Sequence, residues 1–73
     1  MENTQHFGRI VRTRREARGW SLETLEEKCD LSARALDDIE LGISDPKFSS
    51  VMKICGALDI RVGELESCIP AVV

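Results

Sequence analysis

The chain has no tyrosine, a single histidine and only two prolines among its 73 residues. No apolar run approaches the roughly 18 residues that a membrane helix needs, and no basic start leads into an apolar stretch. A membrane span and a secretory leader are therefore not expected, and the expected compartment is the cytoplasm. Cys29, Cys55 and Cys68 stand far apart, without a CxxC or CxxH pair to hold zinc, and His6 has no second ligand near it. No metal or other cofactor is expected. Cys29 and Cys55 read as reduced thiols packed like small hydrophobes, and Cys68 as an exposed one. Catalysis needs a concave site with grouped acids, bases or a metal. With one histidine near its start and no glycine loop to cradle phosphate, the chain does not read as an enzyme.

What the chain does have is 42% hydrophobic and 32% charged residues, the balance of a folded globular domain rather than a disordered one. Its length suits one domain, which buries only about 60% of the surface its unfolded form exposes. A partner surface, such as a homodimer contact, would add needed stability. The net charge of −3 hides an asymmetry. Residues 1–20 hold five arginines (Arg9, Arg12, Arg14, Arg15, Arg18) against Glu2 and Glu16. Residues 21–45 hold Lys28 and Arg34 against eight carboxylates, and residues 46–73 balance. A basic start precedes an acidic middle.

Apolar spacing predicts helices throughout and no strand. Phe7, Ile10, Val11 and Ala17 fit one face of a helix over 6–18, stopped at Gly19, after a flexible stretch at 1–5. Ser21 caps a short second helix with Leu22, Leu25 and Cys29 inward. Asp30-Leu31 makes a tight turn, and Ser32 caps a third helix with Ala35, Leu36 and Ile39 inward and Gly42 at its end. Asp45-Pro46 reads as a cap with proline at the first helical position of a fourth helix, lined by Phe48, Val51, Met52, Cys55 and Leu58. Residues 59–61 turn the chain, a fifth helix forms around Leu65 within 62–67, and 68–73 is an apolar tail broken by Pro70. The expected fold is all-α, a compact five-helix bundle over residues 6–67.

Two short helices joined by a tight turn, from Ser21 to Gly42, have the plan of a helix-turn-helix, whose second helix enters the major groove. With its flanks the segment resembles the Cro/lambda-repressor-like (XRE-type) family. The matching positions are Phe7-Gly8, the run from Arg15 through Gly19-Trp20-Ser21, Leu25, Leu31-Ser32, Leu36, Ile39-Glu40, Gly42, Pro46, Ile54, Leu58, Gly63 and Leu65. The resemblance spans residues 6–67 without a gap. It implies a lambda-repressor-like bundle, an Arg15–Glu40 ion pair tying helix 1 to the end of helix 3, Trp20 in the core, and double-stranded DNA as the partner. It also implies the contact set: Ser21 and Leu22 at the start of helix 2, Ser32, Ala33, Arg34, Ala35 and Asp38 on helix 3, and Ile43 and Ser44 in the following loop.

Several residues depart from that pattern. Leu22 stands where a glutamine is common, which removes a bidentate amide contact. Ile43 and Ser44 replace basic or amide residues that meet phosphate, and Asp38, with Asp37 beside it, replaces a base or amide on the reading face. Arg14 stands at a core leucine, Glu26 at an alanine between helices 2 and 3, and Asp30 at a turn glycine, where Asp is tolerated because it visits left-handed backbone readily. A carboxylate in the major groove can accept from cytosine N4, and Arg34 can reach guanine or phosphate. Two functions stay open. One is a sequence-specific transcriptional regulator, repressor or activator, binding a palindromic operator as a homodimer, with the apolar stretch Ile69-Pro70-Ala71-Val72-Val73 and the fifth helix as candidate dimer surface. The other is the same fold used as a protein-interaction module, its acidic helix 3 meeting a basic partner.

Overall fold

The computed structural model describes residues 3–61 and 63. Four helices follow one another: α1 (Asn3–Ala17), α2 (Leu22–Cys29), α3 (Ala33–Leu41) and α4 (Phe48–Leu58). No strand occurs among the described residues. The all-α expectation holds among the described residues, which form four helices of the five expected. Apart from Gly63, the fifth helix around Leu65 and the tail at 68–73 lie outside the described residues.

Helix ends follow from local chemistry. Gly19 and Gly42 adopt left-handed backbone (φ 71° and 77°), as expected from their place after α1 and α3. Each sits in a paired closure: Trp20 N–H donates to the Arg15 carbonyl (3.2 Å) and Gly19 N–H to Glu16 (2.9 Å), and Ile43 and Gly42 N–H bond Asp38 (3.0 Å) and Ile39 (3.1 Å). Asp30 and Asp59 take the same left-handed role at the ends of α2 and α4 (φ 61° and 58°) without glycine.

The core consists of Phe7 and Val11 from α1, Leu25 and Cys29 from α2, Leu36 and Ile39 from α3, and Ile54, Cys55 and Leu58 from α4, closed by Ile60. Burying these side chains in one cluster is the main force holding so short a chain folded. Gly8 lets α1 cross the end of α3 closely. A Cβ there would lie 2.8 Å from the Glu40 carbonyl oxygen and collide with that of Ile39, both backbone atoms with little freedom to move.

Several expectations need correction. α1 begins at Asn3 rather than His6, and Ala17 is exposed, since at about 100° per residue it falls roughly 80° from Phe7 and 120° from Val11, the buried side of the helix. Trp20 is half-buried, packed on the core's edge rather than inside it. Asp45-Pro46 does not start α4; Lys47 occupies the cap position without a side-chain bond. Phe48 and Met52 are 78% and 46% exposed. At about 100° per residue, Val51, Ile54, Cys55 and Leu58 share one arc, and Phe48 and Met52 fall just outside it, beyond Cys55. Ile60, read as part of a turn, is buried instead. Its N–H bonds the Cys55 carbonyl (2.9 Å) in the closure after Asp59, which swings the next side chain back onto the helix end.

Candidate nucleic-acid interface

α2 and α3 are joined by the three residues Asp30, Leu31 and Ser32, and both helices start on a serine cap. Ser21 Oγ accepts from Thr24 N–H (3.1 Å) and Ser32 Oγ from Ala35 N–H (3.1 Å). A cap bond of this kind uses one lone pair and leaves the hydroxyl proton to donate elsewhere. Both serines are exposed. Leu36 and Ile39 anchor α3 from beneath, so its other side faces outward: Arg34, Asp37 and Leu41 are exposed, and Ala33, Ala35 and Asp38 half-buried. None of the described residues covers that side.

The ion pair expected between Arg15 and Glu40 is present and bidentate, Nε to Oε2 at 2.7 Å and Nη2 to Oε1 at 3.0 Å. Arg15 Nη1 also donates to the Trp20 carbonyl at 2.8 Å. The two side chains are 12% and 4% exposed, so the pair is largely withdrawn from water and fixes the end of α3 against α1. The hydrogen bond to Glu40 holds the Arg15 guanidinium above its ordinary pKa, against the opposing effect of desolvation. Arg12 of α1 and Arg18, just past its end, differ from Arg15 and from each other. Arg12 pairs with Glu16 (3.1 Å) along the helix. Arg18 donates to the Leu58 carbonyl (2.9 Å), placing a cation at the end of α4, and its guanidinium lies 5.2 Å from the Trp20 ring centre. Lys28 lies over the same ring at 4.8 Å. Trp20 is thus held beneath two cations.

Leu22, expected to touch DNA, is half-buried and packs against the core, so at most one edge of it faces outward. Ile43 is 68% exposed and Ser44 half-buried, both in the loop after α3. Glu26, which stands at an alanine position between helices 2 and 3, lines an open cleft with Glu23, Glu27, Asp30, Leu31 and Ser32. Asp30 meets Lys53 of α4 at 3.8 Å across an exposed surface, an attraction worth little in water. Among the described residues no group of His, Cys, Asp or Glu is placed to hold a metal ion, and no helix is long and apolar enough to cross a membrane. Cys29 and Cys55 are buried and unpaired, as expected, and desolvation pushes both thiols up from their usual pKa.

A helix-turn-helix family model matches residues 11–65, about three quarters of the chain. The chain belongs to the XRE-type helix-turn-helix family. It is a family of DNA-binding transcription regulators. No curated protein and no solved structure matches. In this helix-turn-helix protein, α2 and α3 are the defining pair, and the buried ion pair and Gly8 lock α3 to α1. The Gly8 contact and the buried Ile60 are the structural features that periodicity alone does not reveal. Of the expected contact residues, the fold brings Ser32, Ala33, Arg34, Ala35 and Asp38 onto α3 and its cap, with Ser21 and Leu22 at the adjoining start of α2.

Proposed function

We propose that this helix-turn-helix protein is a sequence-specific transcriptional regulator that binds a palindromic operator as a homodimer. The observation that carries the reading is the outer side of α3, left uncovered by the described residues, with Arg34 exposed in its first turn. Ser32, Ala33, Arg34, Ala35 and Asp38 are the proposed base-facing set; Ser21, Leu22, Ile43 and Ser44 are the proposed flanking contacts. Arg34 can donate to guanine O6 and N7 or to phosphate, and Asp38 can accept from cytosine N4. The serine hydroxyls suit phosphate oxygens, as backbone-positioning groups do. Two copies placing α3 in successive major grooves, about 34–36 Å apart, would multiply the modest affinity of each. DNA upstream of the coding region, tested by mobility shift at two salt concentrations, checks this. Sequence-selective binding that weakens as salt rises supports the regulator; absence of binding at low salt contradicts it.

The acidic cleft favours a second reading. On this reading the acidic α3, with Asp37 and Asp38, meets a basic protein partner, and Glu23, Glu26 and Glu27 of α2 with Asp30 of the turn extend the acidic surface and repel phosphate. That reading requires loss of partner binding when Glu23 and Glu27 become glutamine.

A further inference from the structure

We infer that the operator is read at G·C pairs: a guanine held by Arg34 and a cytosine held by Asp38 anchor each half-site, and no adenine is selected through hydrogen bonds. The inference deepens the regulator reading above and rests on it for the duplex as ligand.

At about 100° per residue, Arg34, Asp37, Asp38 and Leu41 share one arc of α3, opposite Leu36 and Ile39 in the core. Arg34, which is exposed, lies near the middle of that arc, with the half-buried Asp38 one turn further along. Among the described residues neither side chain makes a hydrogen bond or ion pair, so both keep their bonding capacity for a ligand. Four residues apart, they stand about 5–6 Å from one another at Cβ, against a step of ~3.4 Å between base pairs. Both can therefore reach the same base pair or two adjacent ones.

Their charges select the base. Guanine offers two acceptors, O6 and N7, to the forked donors of a guanidinium. Adenine offers N7 alone, beside an amino group whose hydrogens repel a cation. Cytosine N4 donates to a carboxylate with only a C–H next to it. Adenine N6 can also donate, but the neighbouring N7 lone pair repels the carboxylate. The side chain that fits adenine is an amide, with donor and acceptor in one plane. This chain has only two, Asn3 and Gln5, both in α1. None lies on α2, α3 or the loop after α3, the elements that hold the proposed contact set. The hydroxyls of Ser21 and Ser32 can meet N7 of either purine and so do not tell them apart. Ala33, Ala35 and Leu41 present only hydrocarbon, which leaves the thymine methyl as the feature by which A·T pairs are recognised.

Base identity in sequences selected from a random duplex pool tests this, with the full chain, Asp38→Asn and Arg34→Ala run side by side. Both positions lie off the core, and circular dichroism checks that the variants fold. The full chain is expected to enrich a guanine and a cytosine at the same pair or at adjacent pairs of each half-site. Asp38→Asn replaces two acceptors by a donor and an acceptor, and should exchange that cytosine for adenine. Arg34→Ala should lower the preference for guanine at one position by about five- to 150-fold and leave the other positions unchanged. A half-site of A·T pairs alone overturns the inference. So does a cytosine that persists with Asp38→Asn, or an Arg34→Ala chain that binds all sequences more weakly by one factor, as loss of a phosphate contact would cause. Each of these leaves a sequence-selective regulator in place. A pool that returns no enriched sequence removes the regulator, and this inference with it.

Discussion

Glu40 gives Arg15 two charge-assisted hydrogen bonds in a seam that water barely enters, and removing either partner strands the other. Glu40→Ala leaves Arg15 with its bond to the Trp20 carbonyl, so a loss of about 1.5–3 kcal/mol is expected. Arg15→Ala leaves the more deeply buried carboxylate unpaired, so a larger loss, about 3–5 kcal/mol, is expected. Urea denaturation of both variants checks the order; equal losses would contradict it, and negligible losses would show that the pair does not stabilise the fold. At Cys29 and Cys55 burial favours the neutral thiol. Folded pKa values above the unfolded value of about 8.5 mean that the unfolded state sheds protons first. Stability is therefore retained below that pH and falls as pH rises from it through the raised folded values. The urea midpoint should drop between pH 7.5 and 10, and Cys29→Ala/Cys55→Ala should flatten the drop. Arg34 should contribute about 1–3 kcal/mol to specific DNA binding, read as the affinity ratio with Arg34→Ala. The sequence showed the ion pair only through a family resemblance, because no local rule links residues 25 positions apart.

Among the elements, α1 and α3 depend on one another more than either depends on its own helix propensity. Replacing a helical glycine by alanine usually stabilises, by roughly 0.5–1 kcal/mol. At Gly8 the sign should reverse, because the added methyl meets backbone carbonyl oxygens of α3. Gly8→Ala should lower the melting temperature by about 8 °C or more, at 4–8 °C per kcal/mol for a domain this size. A raised melting temperature would show that the helices separate without cost. The helices themselves were legible because their signals are local: serine caps at Ser21 and Ser32, glycines at 19 and 42, and apolar spacing between. Asp30 was legible as a turn residue for the same reason. The start of α4 was not. Asp45-Pro46 carries a strong cap signature, yet the loop from α3 delays the helix to Phe48. Phe48 and Met52 were read as core because spacing identifies an apolar stripe but not which flank lacks a neighbour.

For the whole molecule, the two charge fields set the terms of binding. α1 is basic, but Arg12, Arg15 and Arg18 are engaged within the protein, and the proposed contact set holds one cation, Arg34, against one carboxylate, Asp38. On the proposed reading, specificity would rest on few base contacts and on pairing of two copies rather than on general attraction for phosphate. The contact set was legible only by position in the family pattern, and the acidic residues that distinguish this chain act through a surface that one helix does not define. The central claim is that α3 reads DNA in pairs. Selection of bound sequences from a random duplex pool at near-physiological salt tests it most directly. Two inverted half-sites centred about 10–10.5 base pairs apart, or a multiple of that spacing, are the predicted result. A pool that returns with no enriched sequence, or with a single half-site lacking symmetry, would contradict it.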